Sequence, residues 1–245
     1  MRKEIIAGNW KMFKTKKETK EYFSELLDAI NINEKEVVIF TPYTSLDTAV
    51  EATKASYVKI GAQNVHYESN GAYTGEVSVE MIEETNAAYV LIGHSERRKY
   101  YAESNESVNL KIKKVLTTDL IPMMCVGEDL AEREANRTFD VLRKQLTEGL
   151  ADINSDRLIV AYEPVWAIGT GKTATDMQAE EACRFIRECL KDICADTSDN
   201  IRILYGGSVK PDNIKGIMAQ SNIDGVLVGG ASLKSDFVKL VNYDK

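Results

Sequence analysis

The chain has 245 residues, of which 44% are hydrophobic and 28% are charged, and its formal net charge is -7. This composition is typical of a globular protein, and no apolar run approaches the ~20 residues that a membrane-spanning helix needs, so we expect no membrane partner. The acidic balance argues against nucleic acid as a partner, because duplex binding usually requires a basic face.

The chain opens with a few polar residues and a short strand-like run. It has no signal-peptide core and no small-residue cleavage site, so we expect a cytoplasmic location. From there, apolar strand-like runs recur at a spacing of about 30 residues, and there are eight of them. They cover residues 5–8, 37–40, 57–62, 88–93, 120–127, 158–162, 201–204 and 225–228.

Amphipathic helical segments lie between these runs and carry start signals. Thr15 and Glu18 form a capping box ahead of an apolar stripe at helical spacing, and Thr175 and Gln178 form another. The four cysteines lack the paired spacing of a zinc site. No linker or low-complexity tract interrupts the alternation of strand and helix, so we predict a single domain over residues 1–245.

Eight strand-helix units in a chain of this length predict the α/β class and a closed (β/α)8 barrel. An open doubly wound sheet is the alternative. A barrel requires that residues with chemical function follow the strands, because barrel active sites lie at the C-terminal ends of the strands. Polar side chains or glycine pairs do follow seven of the runs: Asn9 and Lys11, Asn64, His94, Glu128, Glu163, Gly206 to Ser208, and Gly229 with Gly230.

Glu163 stands where a buried run must end, since Pro164 cannot continue the strand. The run before it shows no polar alternation, which indicates burial on both faces. The residues that follow combine apolar side chains with Gly169 and Gly171, a composition that predicts a loop able to close over a ligand. The sequence therefore predicts a carboxylate base beneath a lid.

Other strand ends supply candidate ligands. Lys11 follows a buried run, and Asn9 stands two residues before it. At this position Lys11 is as well suited to bind an anion or substrate as to be a solvated surface charge. His94 can begin a helix, and the field at a helix N-terminus disfavours the imidazolium and suits a neutral donor. We expect residues 206–208 and 229–230 to open short helical segments after the last two strands, where barrels bind phosphate.

These motifs together resemble the triosephosphate isomerase family, the family after which the TIM barrel is named. The resemblance is collinear and spans all eight units. It is carried by AGNWKM at residues 7–12, IGHSERR at 92–98, CVGE at 125–128, AYEPVWAIGTGKT at 161–173, YGGSV at 205–209 and LVGGASL at 227–233.

The resemblance implies interconversion of dihydroxyacetone phosphate and D-glyceraldehyde 3-phosphate through an enediolate, a step of glycolysis and gluconeogenesis, without cofactor or metal. Glu163 would be the base, and neutral His94 would donate to the substrate oxygens. Lys11 and Asn9 would stabilise the charge that develops on those oxygens, and Glu96 would pair with Lys11 and position it. Backbone NH groups of Gly169, Ser208, Gly229 and Gly230 would hold the phosphate.

A polar segment at residues 64–77 is long for a structureless loop in a compact domain. The resemblance implies that this segment enters a pocket of a second subunit, so we predict a homodimer. Thr74 would then reach the partner subunit's Lys11 and the partner subunit's His94. Phe13 departs from the family pattern near this expected contact, which bears on the interface and not on the chemistry.

Two other functions stay open on the residues alone. One is a phosphate-binding barrel in which Lys11 forms a Schiff base, and borohydride trapping with substrate would then reveal a covalent adduct. The other is a non-catalytic module that binds a sugar phosphate, which would bind the triose phosphate without turning it over.

Overall fold

The computed structural model describes residues 2–30, 35–168, 174–234 and 236–244. Eight strands alternate with helices along these residues. Each strand lies within one residue of its predicted limits at either end. The strands are β1 (Ile5–Asn9), β2 (Glu36–Thr41), β3 (Val58–Ala62), β4 (Tyr89–Ile92), β5 (Ile121–Val126), β6 (Ile159–Tyr162), β7 (Arg202–Tyr205) and β8 (Gly225–Val228).

Helices connect the strands, and two short 3-10 helices, Val165–Ala167 and Gly230–Leu233, follow β6 and β8. Among the described residues, none of the helices is long and apolar enough to cross a bilayer. The α-helices are α1 (Lys16–Ala29), α2 (Tyr43–Thr53), α3 (Val79–Glu84), α4 (Ser95–Tyr101), α5 (Asn105–Leu116), α6 (Leu130–Glu134), α7 (Thr138–Gly149), α8 (Asp176–Ile193), α9 (Ile214–Met218) and α10 (Asp236–Val241).

The strands form a closed parallel barrel in sequence order, and β1 pairs with both β2 and β8. The structure is therefore the predicted (β/α)8 barrel, and the open doubly wound alternative is wrong. Closure brings the C-terminal ends of all eight strands to one rim. Residues that are far apart in sequence, such as Asn9 and Glu163, can meet there.

Side chains that alternate along the strands divide the buried residues into two clusters. One cluster fills the barrel, and the other packs between the sheet and the helices, where Phe23, Leu142 and Ile186 are fully buried. The strands lack polar alternation because both of their faces are covered. The first cluster consists of Ile5, Ala7, Val38, Phe40, Tyr89, Leu91, Met123, Cys125, Ile159, Ala161, Leu204 and Leu227.

The predicted helix starts are confirmed at two positions. Thr15 with Glu18 and Thr175 with Gln178 form complete capping boxes, so each pair satisfies backbone donors that the first helical turn leaves free. One start is wrong. Residues 206–208 do not open a helix, because α9 begins only at Ile214 after an irregular stretch and a turn.

Candidate active site

A cavity of about 460 Å³ lies at the C-terminal rim of the barrel. It is formed by residues that follow β1, β4, β6, β7 and β8. Most of the side chains and glycines predicted for the site line it: Asn9, Lys11, His94, Glu163, Ser208, Gly229 and Gly230.

Glu163 follows β6 directly and is almost fully buried. Its backbone NH donates to the carbonyl of Val126 at 2.7 Å. This hydrogen bond continues the pairing of β5 with β6 and fixes the position of the Glu163 backbone. Both carboxylate oxygens are engaged. Oε1 lies 2.9 Å from His94 Nε2, and Oε2 accepts the backbone NH of Ser95 at 2.9 Å.

The surroundings of Glu163 decide its charge. Burial favours the neutral acid, but His94, the Ser95 amide and the Lys11 ammonium together outweigh burial, and the pKa of Glu163 is lowered from its ordinary value. Glu163 is therefore a carboxylate at neutral pH, as a base must be.

His94 is the N-cap of α4, and its Nδ1 accepts the backbone NH of Glu96 at 3.2 Å. Burial is the largest influence on the pKa of His94 and lowers it, but the charge and hydrogen bond of Glu163 and the charge of Glu96 together outweigh burial and raise the pKa overall. The net direction is therefore opposite to the one that the helix field alone predicts. An Nδ1 that accepts a hydrogen bond carries no proton, so this geometry holds the neutral ring with its proton on Nε2, facing Glu163.

Lys11 and Asn9 reach the rim from the end of β1. The Lys11 ammonium donates to Glu96 Oε1 at 2.6 Å, and the Lys11 backbone NH donates to Asn9 Oδ1 at 2.9 Å. The two residues are not part of one extended segment, because Lys11 has a φ of 53°. This left-handed conformation is uncommon for a residue other than glycine.

The glycines after β8 face open space. A Cβ added at Gly230 would meet nothing within 4 Å, and one added at Gly229 would meet only Lys11 Cε, at 3.6 Å. An anion lying against this backbone would therefore be close to the Lys11 side chain. Ser208 lines the same cavity from the segment after β7. Gly169, the fourth predicted phosphate ligand, lies outside the described residues.

Three predicted positions lie away from this cavity. Asn64 Oδ1 accepts a hydrogen bond from Lys111, and the Glu128 carboxylate accepts hydrogen bonds from Tyr162, Trp166 and Arg133. Thr74 is exposed and does not line the cavity.

Two contributors were not singled out from the sequence. The Ser95 backbone amide donates to Glu163, and this role cannot be read from the sequence because nearly every residue type has a backbone NH. Gln63 donates to the Lys11 carbonyl at 2.9 Å. Its place directly after β3 matches the rule that found the other strand-end residues. Across the described part of the chain, no cluster of His, Cys, Asp and Glu side chains is suited to hold a metal ion.

Comparison with known proteins decides the family. The family model described as Triosephosphate isomerase matches residues 4–244. The chain belongs to the triosephosphate isomerase family. It is 51% identical over 248 aligned positions to the triosephosphate isomerases of Alkaliphilus metalliredigens and Clostridium botulinum (strain Okra / Type B1), with 99% of this chain and 100% of each relative covered. It is 49% identical over 251 positions to that of Geotalea uraniireducens, with both chains covered in full.

This triosephosphate isomerase family assignment confirms the resemblance drawn from the sequence motifs. The match runs through every strand and through the segments that carry Lys11, His94 and Glu163. These relatives are about half identical to this chain over its full length, and all of them are named as triosephosphate isomerases. They therefore do not favour a Schiff-base barrel or a non-catalytic binding module.

Proposed function

We propose that the chain is an isomerase that interconverts dihydroxyacetone phosphate and D-glyceraldehyde 3-phosphate by proton transfer through an enediolate. Family membership supports the reaction, which belongs to glycolysis and gluconeogenesis. The single observation that carries the residue roles is the convergence of the Glu163 carboxylate, His94 Nε2 and the Lys11 ammonium beside one open cavity. This set provides a base, a neutral donor and a cation, which are the groups that enolisation needs.

Glu163 acts as the base. It removes a proton from the carbon next to the carbonyl and returns it to the neighbouring carbon. Because His94 and the Ser95 amide hold both of its oxygens, the carboxylate must turn away from at least one of these donors to reach a substrate. Turning is feasible because a rotation of the side chain leaves the backbone hydrogen bond to Val126 in place.

His94 and Lys11 stabilise the charge that the proton transfer creates. When the substrate displaces Glu163 from His94, the Nε2 proton becomes available to the substrate oxygens. The influence that raises the pKa of His94 weakens at the same moment, which favours the neutral donor. Lys11 brings a full positive charge to the same cavity, held in place by Glu96. Donors fixed in advance are effective because they need not reorganise during the reaction.

The phosphate group is bound by the backbone of Gly229, Gly230 and Ser208, and by Gly169 of the lid. Open space in front of Gly229 and Gly230 and the proximity of Lys11 support this assignment. A phosphate anchored there would leave the rest of a triose within reach of Glu163, since both positions line one cavity.

A coupled assay on the purified chain tests the proposal. The wild-type chain should convert either triose phosphate into the other, and Glu163→Gln should lower kcat by at least ~100-fold, because a positioned proton-transfer group contributes that much. The variant should still bind inorganic phosphate. Glu106→Gln, an exposed change in the first turn of α5, serves as the matched control. Near-normal turnover by Glu163→Gln would remove Glu163 from the role of base.

We further propose that the active form is a homodimer. A second cavity of about 240 Å³ lies on the far side of Lys11 and His94, and Glu96 and Arg97 also line it. Met12, which lines the cavity, is 93% exposed, as expected of an apolar side chain that a partner covers. The segment that carries exposed Thr74 is the proposed occupant of this cavity in the partner subunit.

The oligomeric state tests the homodimer. Thr74→Arg should shift the chain from dimer to monomer in sedimentation experiments and reduce turnover, because burying a bulky, unpaired charge beside Lys11 and Arg97 is costly. Thr117→Arg, at the exposed C-cap of α5, is the matched control and should stay dimeric. A wild-type chain that sediments as a monomer with full turnover would contradict the proposal. A cytoplasmic location and a single domain over residues 1–245 stay predictions.

A further inference from the structure

We propose that Gln63 is a positioning residue for Lys11 and Asn9, an inference that rests on the proposed function. Gln63 is the first residue after β3 and is half-buried. Its Nε2 donates to the carbonyl of Lys11 at 2.9 Å and to that of Phe40 at 3.1 Å. A third, longer contact of 3.3 Å joins it to Asn9 Oδ1. One amide group thus joins the ends of β1, β2 and β3 at the rim.

The backbone of Lys11 explains why such a contact is needed. A φ of 53° is unfavourable for a lysine and persists only where the surroundings impose it. Two hydrogen bonds impose it here, one from the Lys11 NH to Asn9 and the other from Gln63 to the Lys11 carbonyl. Both backbone polar groups of Lys11 are therefore fixed. The direction in which the lysine side chain leaves the backbone, toward Glu96 and the cavity, follows from them.

Gln63 also fixes which way the Asn9 amide faces. Asn9 Oδ1 accepts from the Lys11 NH and from Gln63, so this oxygen must face the backbone. The Asn9 amino group is then left as the donor on the other side. Asn9 lines the cavity, so the orientation decides whether it offers a donor or an acceptor to a substrate oxygen.

Phe40 anchors this arrangement to the barrel. Its carbonyl accepts from both Gln63 and the backbone NH of Trp10, which is the residue between Asn9 and Lys11. Gln63 therefore ties the backbone of Lys11, which carries the active-site cation, to the end of β2. Gln63 lines the second, smaller cavity and not the large one, so it acts on the substrate through Lys11 and Asn9 and not by direct contact.

A double-mutant cycle tests the inference. Gln63→Met keeps the side-chain length but removes both NH donors, and it should lower kcat/KM by about 10-fold to 100-fold, the range expected when a reacting group is displaced by up to an ångström. In a Lys11→Ala background the same change should cost no more than about 3-fold, because the lysine side chain is gone and only the Asn9 amide is left to position. Gln220→Met is the matched control, since the Gln220 side-chain amide donates a similar hydrogen bond to the Gly216 carbonyl far from the rim, and this variant should retain full kcat/KM.

The cycle separates positioning from general stability. A loss in Gln63→Met that persists undiminished without Lys11, or a kcat/KM within about 2-fold of wild type, would overturn the inference. If the methionine variant does not fold, Gln63→Asn is measured in the same cycle under the same criterion, since it keeps the amide but is one methylene too short to reach all three acceptors. A wild-type chain without turnover would instead contradict the proposed function, and the thermal unfolding midpoint of each variant identifies failures of folding.

Discussion

Gly127→Ala is the substitution for which the structure gives the sharpest prediction. Gly127 directly follows β5 and lies against the backbone of Glu163. A Cβ at this position would lie 1.7 Å from the Glu163 carbonyl oxygen and 2.7 Å from the carbonyl carbon, whereas Cβ atoms essentially never come closer than 3.0 Å to other heavy atoms. Both obstructing atoms belong to the backbone, so no change of rotamer relieves the clash.

The required movement sets the size of the effect. The segments after β5 and β6 must separate by more than an ångström, and Glu163 is tied to the same place by its hydrogen bond to Val126. A displacement of about 1 Å at a reacting group costs on the order of 100-fold in rate, which corresponds to about 2.7 kcal/mol. Overpacking of a buried site should also lower the free energy of unfolding by about 1 to 3 kcal/mol.

The coupled assay and thermal unfolding together test this prediction. Gly127→Ala should remain folded and lose about 100-fold in kcat/KM. Gly216→Ala is the matched control, because the nearest atom to its new Cβ, at 2.2 Å, is the end of the flexible Asp176 side chain. This control should keep its activity, since Gly216 lies within α9 and away from the cavity. A Gly127→Ala variant with wild-type kcat/KM would refute the claim that this backbone contact positions the base.

The remaining predictions concern two lysines. Lys11→Ala should cost about 3 kcal/mol of transition-state stabilisation, as deletion of one preorganised donor does, and unchanged kcat/KM in the coupled assay would contradict a role in charge stabilisation. The second prediction concerns Lys114, whose ammonium donates a hydrogen bond to the Glu80 carboxylate and lowers the pKa of Glu80 from 4.5 to about 2. A depressed pKa stabilises the fold above the unfolded value of 4.5, and this contribution is lost as the pH falls through about 2. Since the Glu80 side chain is 46% exposed, solvent screening limits the contribution to about 1 kcal/mol at most. Glu80→Gln should therefore lower the free energy of unfolding by no more than that at pH 7 and should have no effect below pH 2, as measured by denaturant titration.

The barrel could be predicted from the sequence because its main cause is local and repeated. Apolar runs without alternation recur in every unit, capping residues and polar strand ends recur in most of them, and the period of the runs predicts the eight strands. Glu163, His94 and Lys11 were found by the same rule, since each follows a strand and strand ends share one rim. The rule also selected Asn64 and Glu128, which instead bind Lys111 and the side chains around Trp166.

What the sequence could not give was the identity of the contacts within the rim. The rule gives a residue's place along its strand but not its direction, and direction depends on turns such as the left-handed one at Lys11. The direction of the pKa shift at His94 could not be predicted for a related reason. The helix N-terminus was visible from the sequence, whereas the Glu163 carboxylate, whose charge raises the pKa of His94, lies 69 positions later in the chain and meets His94 only when the barrel closes.

The base Glu163 and the cation Lys11 are supported by different strand ends. Glu163 depends on the β5 end through Gly127 and Val126, whereas Lys11 depends on the β2 and β3 ends through Gln63. The two supports share no residue, so displacing one should leave the other in place. Losses from Gly127→Ala and Gln63→Met should therefore add in free energy when combined. Coupling of more than about 0.5 kcal/mol between them would mean that the rim moves as one unit and that the separate supports described here do not act independently.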